Sequence, residues 1–92
     1  MTSKEMQSTI ELLEQRFAEK YAPIAVGERN CFKLPDGSLF AVATVSAYKA
    51  YVLEYADSLD AAKRNQFEDG DLFYLDASLD DMFNEMCEEI SQ

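Results

Sequence analysis

Met6, Ile10, Leu13, Phe17 and Tyr21 recur at spacings of three and four, which places them on one face of a helix and predicts an amphipathic N-terminal segment. Thr2-Ser-Lys-Glu5 before it has capping-box form, in which a hydroxyl and a carboxylate satisfy unpaired N–H groups of the first turn. Pro23 is expected to end the helix. The pattern then changes. In NCFKLPDGSLFAVATV, two apolar segments flank Leu34-Pro35-Asp36-Gly37-Ser38: Pro35 presets φ, Asp36 bonds locally and Gly37 accepts a left-handed conformation. The expectation is a β-hairpin with strands near 29–34 and 39–45.

The Tyr, Val and Leu of AYKAYVLEYAD suit a third antiparallel strand over 48–55, joined through Ser46 and Ala47, with a helix as the alternative. DSLDAAKRNQFEDG predicts a short helix, capped by Asp57 or Ser58 and closed before Gly70. DLFYLD is a short apolar connection or strand. Ser78 is placed to cap a last helix, in which Leu79, Met82, Phe83, Met86 and Ile90 share a face. The fold class is therefore α+β in a single domain over 1–92: an N-terminal helix, a three-stranded antiparallel sheet made of a hairpin plus a third strand, and two C-terminal helices. Both faces of such a sheet read as apolar: Phe40 and Val42 on one side of the second strand, Leu39, Ala41, Ala43 and Val45 on the other. Either the helices divide between the faces, or a second copy of the chain (a homodimer) or another partner covers one of them.

Composition narrows the function classes. Ninety-two residues bury only about 60–65% of their unfolded surface, leaving little room for an internal active site. Apolar residues make up 48% and aromatics 12%, the composition of a folded globule. The opening MTSKEMQSTIELLE carries charges throughout and has no long apolar stretch. No secretory signal or membrane span is expected there, and a cytoplasmic location is. Cys31 and Cys87 lie far apart, without disulfide-framework or metal-ligand spacing, and read as reduced thiols.

Chemistry is sparse. The chain has no histidine, which removes the commonest general base, nucleophile activator and transition-metal ligand. It has no phosphate-binding glycine loop, and its three glycines supply little cradling backbone. A calcium loop starting at Asp76 would put Asp81 where a sharp turn needs glycine and Cys87 where a bidentate glutamate is needed. One starting at Asp69 meets Phe73 and Tyr74 at its fifth and sixth positions. These residues predict no catalytic, cofactor-binding or specific metal site, and weak surface association of divalent cations at most.

The net charge of −10 is placed unevenly: Met1 to Ala56 holds seven acids and six bases, and Asp57 to Gln92 holds eleven acids and two bases. After Arg64 no base appears. Such a field repels nucleic acid and anionic membrane and attracts basic proteins or cations. Two partner-binding surfaces are candidates. One is acidic, formed by Asp76, Asp80, Asp81, Glu85, Glu88 and Glu89, whose carboxylates one helical turn apart would resemble a phosphate backbone. Small acidic inhibitors of nucleic-acid enzymes act in this way; the likeness is one of charge and element order, and no motif matches residue by residue. Against it stands a plain reading, in which these acids are the wet side of an amphipathic helix. The other candidate is Tyr48, Tyr51 and Tyr55, because tyrosine offers large rigid contact area with a polar tip, against the commoner reading that tyrosines in so small a chain belong to the core. The expectation is a noncatalytic acidic domain that works through protein contacts. Mimicry of nucleic acid toward a basic nucleic-acid-binding protein and weak cation binding are the alternatives.

Overall fold

A computed structural model describes residues 4–75 and 78–92. The anticipated Thr2 cap lies outside them. Helix α1 (Lys4–Lys20) buries Met6, Ile10, Leu13 and Phe17, the face that the spacing picks out. Five strands follow: β1 (Ala22–Val26), β2 (Arg29–Lys33), β3 (Leu39–Val45), β4 (Ala50–Ala56) and β5 (Glu68–Phe73). They form one antiparallel sheet in the order β1-β2-β3-β4-β5, so each strand lies beside its neighbour in sequence. The short helix α2 (Leu59–Lys63) connects β4 to β5, and α3 (Leu79–Ile90) closes the described fold.

The α+β class and the central hairpin match the sequence expectation. Leu34 N–H donates to Ser38 C=O at 2.8 Å, and Asp36 Oδ1 accepts from Ser38 N–H at 3.0 Å. Gly37 turns the chain with φ at 92°, a region closed to most side chains. Residues in the 48–55 stretch are strand, not helix. The strand starts at Ala50, because Ser46–Tyr48 form a single 3₁₀ turn released by Lys49 at a φ of 50°.

The three-stranded sheet and the pair of C-terminal helices require correction. β1 is an additional strand: Pro23 sits inside it and does not merely stop α1, because β1 is an edge strand where a missing N–H breaks no ladder. Gly27, at a φ of 62°, and Glu28 make the two-residue turn into β2, with glycine at the first central position as a type II′ turn prefers. β5 is the other addition. Its Glu-Asp-Gly-Asp start has poor strand propensity, but its backbone pairs with β4 and Phe73 turns into the core. α2 therefore lies between two strands, and only α3 follows the sheet.

The division of cover explains why both sheet faces are apolar. α1 and α3 pack on one face, where Phe17, Phe32, Phe40, Leu53, Met82 and Met86 are buried together. On the other face Cys31, Leu39, Ala41 and Ala56 lie beneath Ala62 of α2 and Phe67 of the following loop. Arg29 completes this layer: its guanidinium stands 4.5 Å from the centre of the Phe67 ring and donates to Glu54 Oε1 at 2.5 Å. A cation stacked on a ring and paired with a carboxylate can be covered without stranding its charge.

Candidate interaction surface

Ser78 caps α3 as its residue type suggests, its Oγ accepting from Asp81 N–H at 3.1 Å. With Met82 and Met86 buried, Asp81, Glu85 and Glu88 fall about one turn apart along one flank of the helix, roughly a third of a turn round from the buried face at about 100° per residue. All three are exposed. With Tyr74 they line a shallow depression of about 340 Å3. Among the described residues no cationic side chain pairs with any of them. Three carboxylates therefore stand in solvent at one-turn intervals beside one half-exposed phenol.

The remaining acids of the anticipated strip have other employment. Asp80 forms an ion pair with Arg16 of α1, whose guanidinium also lies 5.0 Å from the centre of the Phe83 ring. Glu89 points inward to the seam between α3 and β5. Its Oε2 accepts from the Tyr55 hydroxyl at 2.5 Å, and its Oε1 accepts from Asp71 N–H at 2.7 Å. A Cβ on Gly70 would come within 2.6 Å of that carboxylate, so the glycine makes the space in which Glu89 sits. Asp76 lies outside the described residues.

The three tyrosines do not share a surface. Tyr51 is 3% exposed and belongs to the core, and Tyr55 is half-buried against it. Both project from β4 toward the α1 and α3 side, since residues two apart on a strand face the same way twice over. Tyr48, on the 3₁₀ turn, is 64% exposed and stands alone. The aromatic that does join the acidic strip is Tyr74, just past β5, between exposed Leu72 and Leu75. The run Leu72-Phe73-Tyr74-Leu75 carries the signal for it, because one buried residue in an alternating apolar run leaves its neighbours facing out.

The titration behaviour of Tyr55 gives a test of the seam. Burial first, then the Glu89 carboxylate, pushes its phenol well above the ordinary value near 10. The folded chain thus keeps a proton that the unfolded chain releases. The stabilisation from this group is fully present below about pH 10 and is lost as pH rises beyond that. Urea midpoints measured between about pH 9 and pH 11 should fall, and Tyr55→Phe should flatten the part of the slope owed to this residue. An unchanged slope in Tyr55→Phe would refute the assignment.

Both cysteines are free. Cys31 is buried in β2, and burial pushes its thiol up, away from the thiolate a nucleophile needs. Cys87 on α3 has Lys20 Nζ 3.7 Å from its Sγ. Among the described residues no three His, Cys, Asp or Glu side chains gather closely enough to hold a metal ion, and no helix is long and apolar enough to cross a membrane. No protein-family model, curated protein or solved structure matches this chain. Its function must be argued from the surface alone.

Proposed function

We propose that this domain acts without catalysis, by protein contact, and that the α3 strip of Asp81, Glu85 and Glu88 with Tyr74 engages a basic partner. The observation that supports the reading is the contrast within one helix. Asp80, though exposed, is paired with Arg16, and Glu89 is held by Tyr55 and the Asp71 N–H, whereas among the described residues Asp81, Glu85 and Glu88 have no cation paired with them. Like charges one turn apart on a helix repel by a few tenths of a kcal/mol per pair, a small standing penalty that a cationic partner relieves. Tyr74 supplies the rigid contact area that a purely charged strip lacks. Where the partner's basic groove serves a phosphate backbone, the regular spacing of the carboxylates makes the strip a mimic of that backbone. This is a special case of the same contact.

Immobilised protein should retain basic polypeptides from a lysate at low ionic strength and release them as salt shortens the screening length to about 10 Å and below. Asp81→Lys with Glu85→Lys should weaken retention by at least about tenfold; both positions are exposed, and the cost to stability should stay within about 1–2 kcal/mol, most of it from placing a cation in the first turn of α3, where the helix dipole favours an anion. Retention that ignores salt, or survives the double reversal, would sink the proposal. Competition by duplex oligonucleotide would separate the mimic from other basic partners.

A further inference from the structure

At the edge of the sheet remote from β5, a groove of about 480 Å3 runs between α1 and β1. Ala18, Pro23 and Phe32 supply its apolar lining, and Glu11, Glu14 and Asn30 its polar wall. Glu14 is the unusual member. It is half-buried, and burial, ahead of every other influence, pushes its carboxyl above the usual range. Asn30 Nδ2 donates to its Oε1 at 3.3 Å, but no cation lies within ion-pairing distance among the described residues. The nearby Arg29 is taken by Glu54 and the Phe67 ring. The Asn30 amide and the more distant Arg29 offset only part of the desolvation of this carboxylate, because burial outweighs both.

The same groove borders open backbone. Among the described residues β1 pairs only with β2. The two-residue turn closes Val26 against Arg29, so the alternation of an antiparallel ladder turns the N–H and C=O of Ala25 away from β2, toward the free edge. The other edge of the sheet is blunted: Leu53 of β4 faces both Gly70 and Asp71 across a bulge, and Glu89 occupies the Asp71 N–H.

We infer that the α1–β1 groove is a docking site for an extended basic segment of a partner protein, which adds as a strand along β1 and seats one arginine or lysine against Glu14. The aliphatic stem lies on Ala18, Pro23 and Phe32, and the charged head sits between Glu11 and Glu14. Charge complementarity selects this occupant over a second copy of the chain, since pairing two β1 edges would bring two acidic walls together. Pro23 offers no N–H on that edge, so the added ladder is short and the cation carries the specificity. The site lies at the opposite edge of the sheet from the α3 strip and is independent of it; reversing Asp81 and Glu85 leaves it in place.

The test is an NMR titration of the whole protein with a short capped peptide of alternating threonine and valine carrying one central arginine, alongside the same peptide with neutral citrulline. The arginine peptide should shift the Asn30 side-chain amide saturably and protect the Ala25 amide from exchange, and the citrulline peptide should bind at least about tenfold more weakly. Glu14→Gln, whose own spectrum reports its fold, should lose the same factor toward the arginine peptide. The inference is overturned by the absence of a saturable shift, by equal binding of the two peptides, by undiminished binding to Glu14→Gln, by binding that leaves Ala25 unprotected, or by self-association through β1.

Discussion

Phe17→Ala should lower the stability of the domain by about 3–5 kcal/mol, the range found when a large buried aromatic is truncated and the space only partly closes. Phe17 has no exposed surface, and its ring centre lies 5.8 Å from Phe32, 5.1 Å from Phe40 and 4.8 Å from Phe83. It therefore joins three separate elements to α1: β2, β3 and α3. A small domain with total stability of about 5–15 kcal/mol has little in reserve against such a loss. Urea unfolding followed by circular dichroism would measure it, with Leu12→Ala as the control. Leu12 is on the same helix but 48% exposed, and its truncation should change stability by no more than about 0.5 kcal/mol. A loss below about 1.5 kcal/mol for Phe17→Ala would mean that the surrounding rings close over the vacancy and that no single residue organises the core.

Glu89→Ala should cost about 2–3 kcal/mol, whereas Glu88→Ala, one position earlier, should be neutral or slightly stabilising. Removing Glu89 deprives the Tyr55 hydroxyl and the Asp71 N–H of a charged acceptor at once. Hydrogen bonds to ionised groups contribute about 1.5–3 kcal/mol each, reduced here because both sites are near solvent and water can replace part of the loss. Glu88 has no such partner and stands in the last turn of α3, where the helix dipole disfavours an anion. The paired measurement separates two neighbouring acids that composition treats alike. Equal, small effects would show that the seam between α3 and β5 does not depend on this carboxylate.

The parts of the fold that were legible in sequence are those where apolar periodicity and local turn chemistry agree. α1 and α3 show their buried faces directly, and Pro35-Asp36-Gly37 announces the central hairpin. β1 is hidden and β5 only half-legible, its DLF end reading as connection or strand, for opposite reasons. β1 contains a proline that is a stop signal in most contexts and is tolerated here because the strand is at an edge. β5 opens with Glu68, Asp69, Gly70 and Asp71, whose propensities oppose a strand until β4 supplies the pairing. The site inherits these gaps. Glu89 looks like one more exposed acid unless β5 is in place to offer Asp71 N–H and the open side of Gly70. Tyr51 and Tyr55 follow the commoner reading of tyrosine as core, which the sequence alone does not separate from a shared surface with Tyr48, and Glu14 looks like an ordinary helix acid until β1 forms the far wall of its groove.

The order of strands along the sheet has a consequence for how the chain acquires its structure. Because every strand pairs with its sequence neighbour, each pairing closes only a short loop, the longest being the β4–β5 connection through α2. The helices are different: Arg16 meets Asp80, Phe17 meets Phe83 and Lys20 meets Cys87, so α1 and α3 close a loop that contains the whole sheet. Undocking α3 (Leu79–Ile90) breaks none of the strand pairings and leaves α1 packed on the sheet. The phenylalanine-rich face beside α1 is open to water until α3 docks on it. α3 thus completes the core in time as well as in space, and a folding chain is most exposed to wrong contacts just before that helix docks.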